Sequence, residues 1–142
     1  MGEVLFKDFS KEVNKKIKEL GVAWLEEASG VVESQTKRNT KVDTGKTKAS
    51  WEHIVHEKEL EAEVGSRFQN AIWEEFGTGI YALNGDGRKD VPWTYQDAKG
   101  KWHKTKGKKP KRAFQRAYDS KKNSIIKLAQ YKFRSLGKWL KY

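Results

Sequence analysis

Asp43-Thr44-Gly45 is the tripeptide that aspartic proteases use, where two carboxylates share one proton. Such a site needs the loop to leave an apolar strand. Here Thr40-Lys41-Val42 precedes it and Lys46-Thr47-Lys48 follows, which is too polar. A homodimer of the retroviral type would be needed to bring a second Asp. The better reading is structural: Asp43 or Thr44 caps a turn, Gly45 supplies a positive φ, and the chain enters a strand at Trp51. Gly45-Lys46-Thr47 resembles the end of a phosphate-binding loop, but the earlier glycine of that pattern would fall on Thr40. Nucleotide hydrolysis is rejected. His53 and His56 on one strand point to opposite faces, so they do not share a metal with each other, and His103 is remote in sequence. Glu74 and Glu75 are paired carboxylates without a legible pocket or convergent partners, so they read as part of a short amphipathic helix burying Ile72, Trp73 and Phe76. No catalytic residue, metal site or cofactor is expected.

A different chemistry lies between Arg88 and Arg112. Ten basic groups there interleave with Trp93, Tyr95 and Trp102, a mixture that suits stacked bases and paired phosphates. Lys99, Lys101, Lys104, Lys106, Lys108, Lys109 and Arg112 are the candidate contact groups, for nucleic acid or for a protein partner. No helix-turn-helix, zinc-finger or RNA-binding signature accompanies them. Nucleic-acid binding is therefore the alternative reading.

The elements that must hold these residues are read from periodicity. Phe6, Phe9, Val13, Ile17, Leu20, Trp24, Ala28 and Val31 recur every three or four residues, which predicts an N-terminal helix over 1–40, ended by the polar, β-branched stretch from Thr36. Residues 50–66 switch to period two, Trp51, His53 and Val55 alternating with Glu52, Ile54 and His56, and Leu60, Ala62 and Val64 with Glu61 and Glu63. This predicts an antiparallel hairpin. A short helix over 69–77 stops at Gly77-Thr78-Gly79. Residues 83–112 read as a mobile basic loop or second hairpin, with turn chemistry at Asn84-Gly85-Asp86-Gly87. Phe114, Tyr118, Ile125, Ala129, Phe133, Leu136 and Leu140 predict a C-terminal helix over 113–140, with Pro110 just before it. The expectation is one α+β domain over 1–142, long N- and C-terminal helices packed on a small antiparallel sheet.

Composition agrees with a single folded domain. The chain has 142 residues, 12% of them aromatic and six of them Trp, too many aromatics for a disordered chain. The absence of Cys excludes disulfide scaffolds, cysteine nucleophiles and thiolate metal sites. No apolar run reaches the about 18 residues needed to span a bilayer, and no secretory signal is visible, so a soluble, cytoplasm-made chain without membrane contact is expected. The net charge of +11 is uneven: residues 1–40 are neutral, 41–76 carry −3, and 77–112 and 113–142 carry +7 each. Such asymmetry suits a nucleic-acid face or head-to-tail association of complementary surfaces.

Several elements also fall in a known order. Val42-Asp43-Thr44-Gly45-Lys46-Thr47-Lys48-Ala49-Ser50 follows the N-terminal helix, an acidic hairpin ends in Val64-Gly65-Ser66, and Ala71, Glu75, Phe76, Gly77 and Thr78 sit in a "YA-x-x-x-E-F-G-T" pattern with Asn70 in place of the Tyr. In this the chain resembles the small neck morphogenesis proteins of tailed phages and prophages, the tail-completion or head–tail joining proteins. The resemblance implies a non-enzymatic structural protein, made in the host cytoplasm and located in the virion. Its partners would be other phage neck and tail proteins, further copies of itself in a ring, and packaged DNA as a possible contact. Asp43, Thr44 and Gly45 would set the strand entry; Glu75, Phe76, Gly77 and Thr78 would set the short helix and its exit.

Overall fold

The computed structural model describes residues 8–42 and 45–139; Asp43 and Thr44, both expected to shape the strand entry, lie outside the described residues, as do Phe6 and Leu140. The expected α+β architecture is present. In chain order it runs α1 (Ser10–Asn39), α2 (Lys46–Ala49), β1 (Trp51–His56), β2 (Glu61–Ser66), α3 (Gln69–Phe76), a 3-10 turn (Gly79–Tyr81), β3 (Trp93–Gln96), β4 (Trp102–Thr105) and α4 (Ala113–Trp139).

The two long helices pair antiparallel. At one end the Asn39 amide donates to the Ala113 carbonyl at 3.1 Å, and further along the Trp24 indole N–H donates to the Ile125 carbonyl at 2.7 Å. The Lys132 ammonium meets Glu27 at 2.8 Å on the same seam. The buried line of α1 is Ala28, Val32 and Thr36, continued by Thr40, with Ser29 beside it. Two threonines are admitted because each hydroxyl donates to the carbonyl four residues back, Thr36 to Val32 and Thr40 to Thr36, both at 2.7 Å. The helix therefore runs through Thr36 to Asn39. Of the expected apolar stripe, Ala28 is buried and Val13, Leu20, Trp24 and Val31 are half-buried, while Phe9 and Ile17 are exposed. On α4, Ala113 and Ala117 are the buried positions, and Tyr118 of the expected stripe is exposed. Alanines at these sites bring α4 close to its neighbours.

β1 and β2 form the expected hairpin, in register from Trp51 opposite Ser66 to His56 opposite Glu61. The face bearing Trp51, His53 and Val55 turns toward α1. Trp51 is buried and stacks on Phe114 of α4, ring centroids 5.9 Å apart. His53 is clasped by α1: Nδ1 bonds Glu33 and Nε2 bonds Glu26 at 2.9 Å, while Glu33 also takes Lys37 at 2.7 Å. The two carboxylates, Glu33 first and then Glu26, raise the His53 pKa above its ordinary 6.5 against the opposing pull of burial. Burial pushes Glu33 upward, but the hydrogen bonds from Lys37 and His53 outweigh it, and its pKa is lowered.

β3 and β4 form a second hairpin inside the 83–112 excursion, in register from Trp93 opposite Thr105 to Gln96 opposite Trp102. It is a separate two-stranded sheet. Among the described residues, no helix and no strand of the first sheet packs closely against its backbone.

Candidate functional site

Among the described residues Glu75 is the charged residue that the fold buries most completely, only 5% exposed. It stands near the end of α3, where its carboxylate reaches the start of α4. Oε2 accepts the Phe114 N–H at 2.9 Å and Oε1 accepts the Gln115 N–H at 3.1 Å. These are two of the four amides that a helix leaves without partners at its start. A negative charge there also opposes the positive end of the helix dipole. Arg112, with φ of 55°, places its guanidinium 3.6 Å from Oε1, donates to the Glu75 carbonyl at 3.3 Å, and lies 5.3 Å from the centre of the Phe76 ring. The cap of α4 thus comes from α3, 39 residues or so upstream in the chain.

The residues after Glu75 zip the same two segments together. Gly77 N–H closes α3 on the Trp73 carbonyl at 2.8 Å. Thr78 N–H donates to the Lys108 carbonyl at 2.9 Å, and Lys108 N–H returns to the Thr78 hydroxyl at 2.8 Å. Ile80 N–H reaches Lys106 and Lys111 N–H reaches Glu74, at 3.2 and 2.7 Å. Gly77 has φ of +79°, and a Cβ there would lie 2.8 Å from the Tyr81 carbonyl oxygen and 2.9 Å from Pro110. This crowding, added to the conformation, is why glycine occupies the position.

Of the sequence-expected residues, the fold brings Glu75, Phe76, Gly77 and Thr78 together with Lys106, Lys108 and Arg112 on this seam. Gly45 is elsewhere, at the entry to α2 with φ of +80° and open space around it. Lys99 and Lys101 lie at the far turn of the β3–β4 hairpin, whose shape is set by Asp97 accepting both of their amide N–H groups at 2.9 Å. Asp97 Oδ2 also meets His103 at 2.7 Å, and His103 stacks on Tyr95. Trp93 lies under the Arg88 guanidinium, 5.2 Å away. Of the three loop aromatics only Trp102, 67% exposed, is without a stacking partner among the described residues. The arrangement is a folded hairpin, not a row of free stacking platforms for successive bases.

One expectation is overturned. Ile72, Trp73 and Phe76 are not the buried face of α3; they are 42%, 48% and 41% exposed, while Ala71 and Glu75 are buried. The amides of α4 draw the carboxylate inward, which rotates the apolar side chains out. Ile72 and Phe76 follow one another at four-residue spacing on α3, the exposed Phe68 precedes the helix with extended backbone, and Leu83 is tied beside Phe76 by its N–H to the Phe76 carbonyl at 2.9 Å. The molecule therefore presents an exposed apolar pair on α3. Around the helix from it, a cleft of about 680 Å³ opens between α3 and the second hairpin, with Trp73, Trp93 and Tyr95 along it and Arg88 and Lys108 among the groups that line it. Nothing in the sequence pattern marked Trp73 or Arg88 as cleft residues, because their nearness depends on the seam.

No cluster of three His, Asp or Glu able to hold a metal occurs among the described residues. Among the described residues no helix is long and apolar enough to cross a membrane. A family model described as "Bacteriophage HK97-gp10, putative tail-component" matches residues 5–77. No curated protein and no solved structure matches the chain.

Proposed function

Since the chain belongs to the HK97-gp10-like family of bacteriophage tail components, we propose that it completes the tail or joins it to the DNA-filled head through protein–protein contacts in the neck. The observation that carries this is the exposed apolar pair Ile72 and Phe76 on α3, in a chain whose second half is strongly basic. An exposed apolar strip rimmed by charge is the signature of a surface meant to be covered. Opposite charge in the acidic first hairpin and the basic segments after Gly77 steers preassembled parts toward one another. A ring of copies needs such unlike patches, because each subunit offers one surface and receives another. The β3–β4 hairpin, standing clear of the helices, is the part that settles against a neighbour during assembly. Gly45 opens α2, the short helix that leads into β1, and the Glu75–Thr78 segment holds the seam. The role is structural, in the virion, after synthesis in the host cytoplasm.

The test is a phage lacking this reading frame, viewed by negative-stain microscopy. Separate tails and DNA-filled heads that join when the protein is supplied from a plasmid are expected. Infectious, tailed particles in its absence overturn the reading. Direct DNA binding is checked by salt titration: a weak, sequence-blind affinity that vanishes at physiological salt is expected, and submicromolar affinity there would favour a nucleic-acid role instead.

A further inference from the structure

We propose that the cleft between α3 and the second hairpin is a socket for the turn of the first hairpin on another copy of this chain. The proposal rests on the assembly reading above and names the contact. Trp73, Trp93 and Tyr95 with Arg88 give the cleft the residue types that dominate anchor positions in protein interfaces. Lys108 adds a second cation, and Asp86 is the acid among its lining groups. What fits is an apolar side chain flanked by carboxylates.

The β1–β2 turn has that composition. Leu60, held at φ of 52°, is 42% exposed, and Glu57, Glu59 and Glu61 stand around it, all exposed. None of these three carboxylates makes an ion pair among the described residues, whereas Glu52 and Glu63 on the strands face Arg67 and His56. The turn holds a partly exposed leucine, three carboxylates without an ion pair and one cation, Lys58, so its net charge is negative.

Within one molecule the two cannot meet. Leu60 lies by Gly21, its Cδ2 3.5 Å from where a Cβ would stand, in the middle of α1. The seam beside the cleft is tied to the start of α4, which meets α1 at Asn39. Eighteen residues of helix separate those points, about 27 Å. Tip and socket are therefore held apart within one copy by that length of α1, and tip-into-socket contact repeats head to tail from copy to copy.

The experiment mixes 14N- and 15N-labelled full-length protein, treats it with a zero-length carbodiimide cross-linker and sorts hybrid links by mass. Links from Glu57, Glu59 or Glu61 to Lys108 or its neighbour Lys106 across copies are expected. Reversing Glu59 and Glu61 to Lys weakens self-association, by roughly tenfold or more in sedimentation. Adding Arg88→Glu and Lys108→Glu restores it. The exposed sites leave the far-ultraviolet spectrum unchanged. A chain that stays monomeric at millimolar concentration, or links found only elsewhere, or reversal without rescue, overturns the socket. Copies that associate through other residues would discard the socket and leave the tail-assembly reading standing, whereas the deletion phage tests that reading alone.

Discussion

A buried carboxylate costs several kcal/mol unless its neighbours replace the water it gives up. Glu75 is supplied by two helix amides and by Arg112. Replacing it by Ala leaves those amides bare and the guanidinium without its counter-charge. We expect Glu75→Ala to cost about 2 kcal/mol and to lower the Tm by roughly 6–8 °C in calorimetry. Glu75→Gln, which keeps one acceptor, recovers part of this; an unchanged Tm in the alanine variant would remove the cap from the account. His53 gives a pH signature of definite sign. Its pKa is raised in the fold, so the stability of its clasp is complete below about pH 6.5 and is lost as pH rises through the raised value. Wild type should therefore lose Tm relative to His53→Gln between pH 6 and pH 9. A difference that stays flat over that range would show the clasp to be neutral.

At the scale of elements, two glycines with nearly the same φ separate conformation from crowding. Gly45 at +80° has open space, and Gly77 at +79° is walled in by Tyr81, Lys108 and Pro110. Gly45→Ala should cost about 1–2 kcal/mol, the strain of the left-handed conformation alone. Gly77→Val should open the seam or prevent folding, read as lost protection of the Thr78 and Lys108 amides in hydrogen exchange. A Gly77→Val variant that melts like wild type and keeps that protection would refute the seam. The sequence shows α1, the first hairpin and α4 clearly because each carries a long period, 3.6 or 2. It does not show which turn of α1 is covered, since that depends on where the first hairpin ends, by Gly21. Nor does it show the orientation of α3. An eight-residue helix whose only charged positions are Glu74 and Glu75 reads as burying Ile72, Trp73 and Phe76, until the free amides of α4 compete for one of the acids.

For the whole molecule, charge is the legible quantity and geometry is not. The excess of Lys and Arg after residue 77 can be counted directly, but the cleft joins Trp73 to Arg88, Trp93 and Tyr95 across segments that no local pattern connects. Lys104, Lys106, Lys108 and Lys109 are all exposed, and the seam uses the backbone of Lys106 and Lys108. Changing all four to Gln should therefore shift the Tm by only a degree or two while impairing plasmid rescue of the deletion phage. A large loss of stability would mean their side chains hold the fold. The borrowed cap has a further consequence. The segment matched to the family ends two residues after Glu75, and what it offers downstream is a carboxylate awaiting two amides and a cation. That requirement is generic. A chimaera carrying an unrelated amphipathic helix after Arg112 would still find its starting point. The tail of this chain could then be exchanged like the bit of a drill, with the chuck left in place.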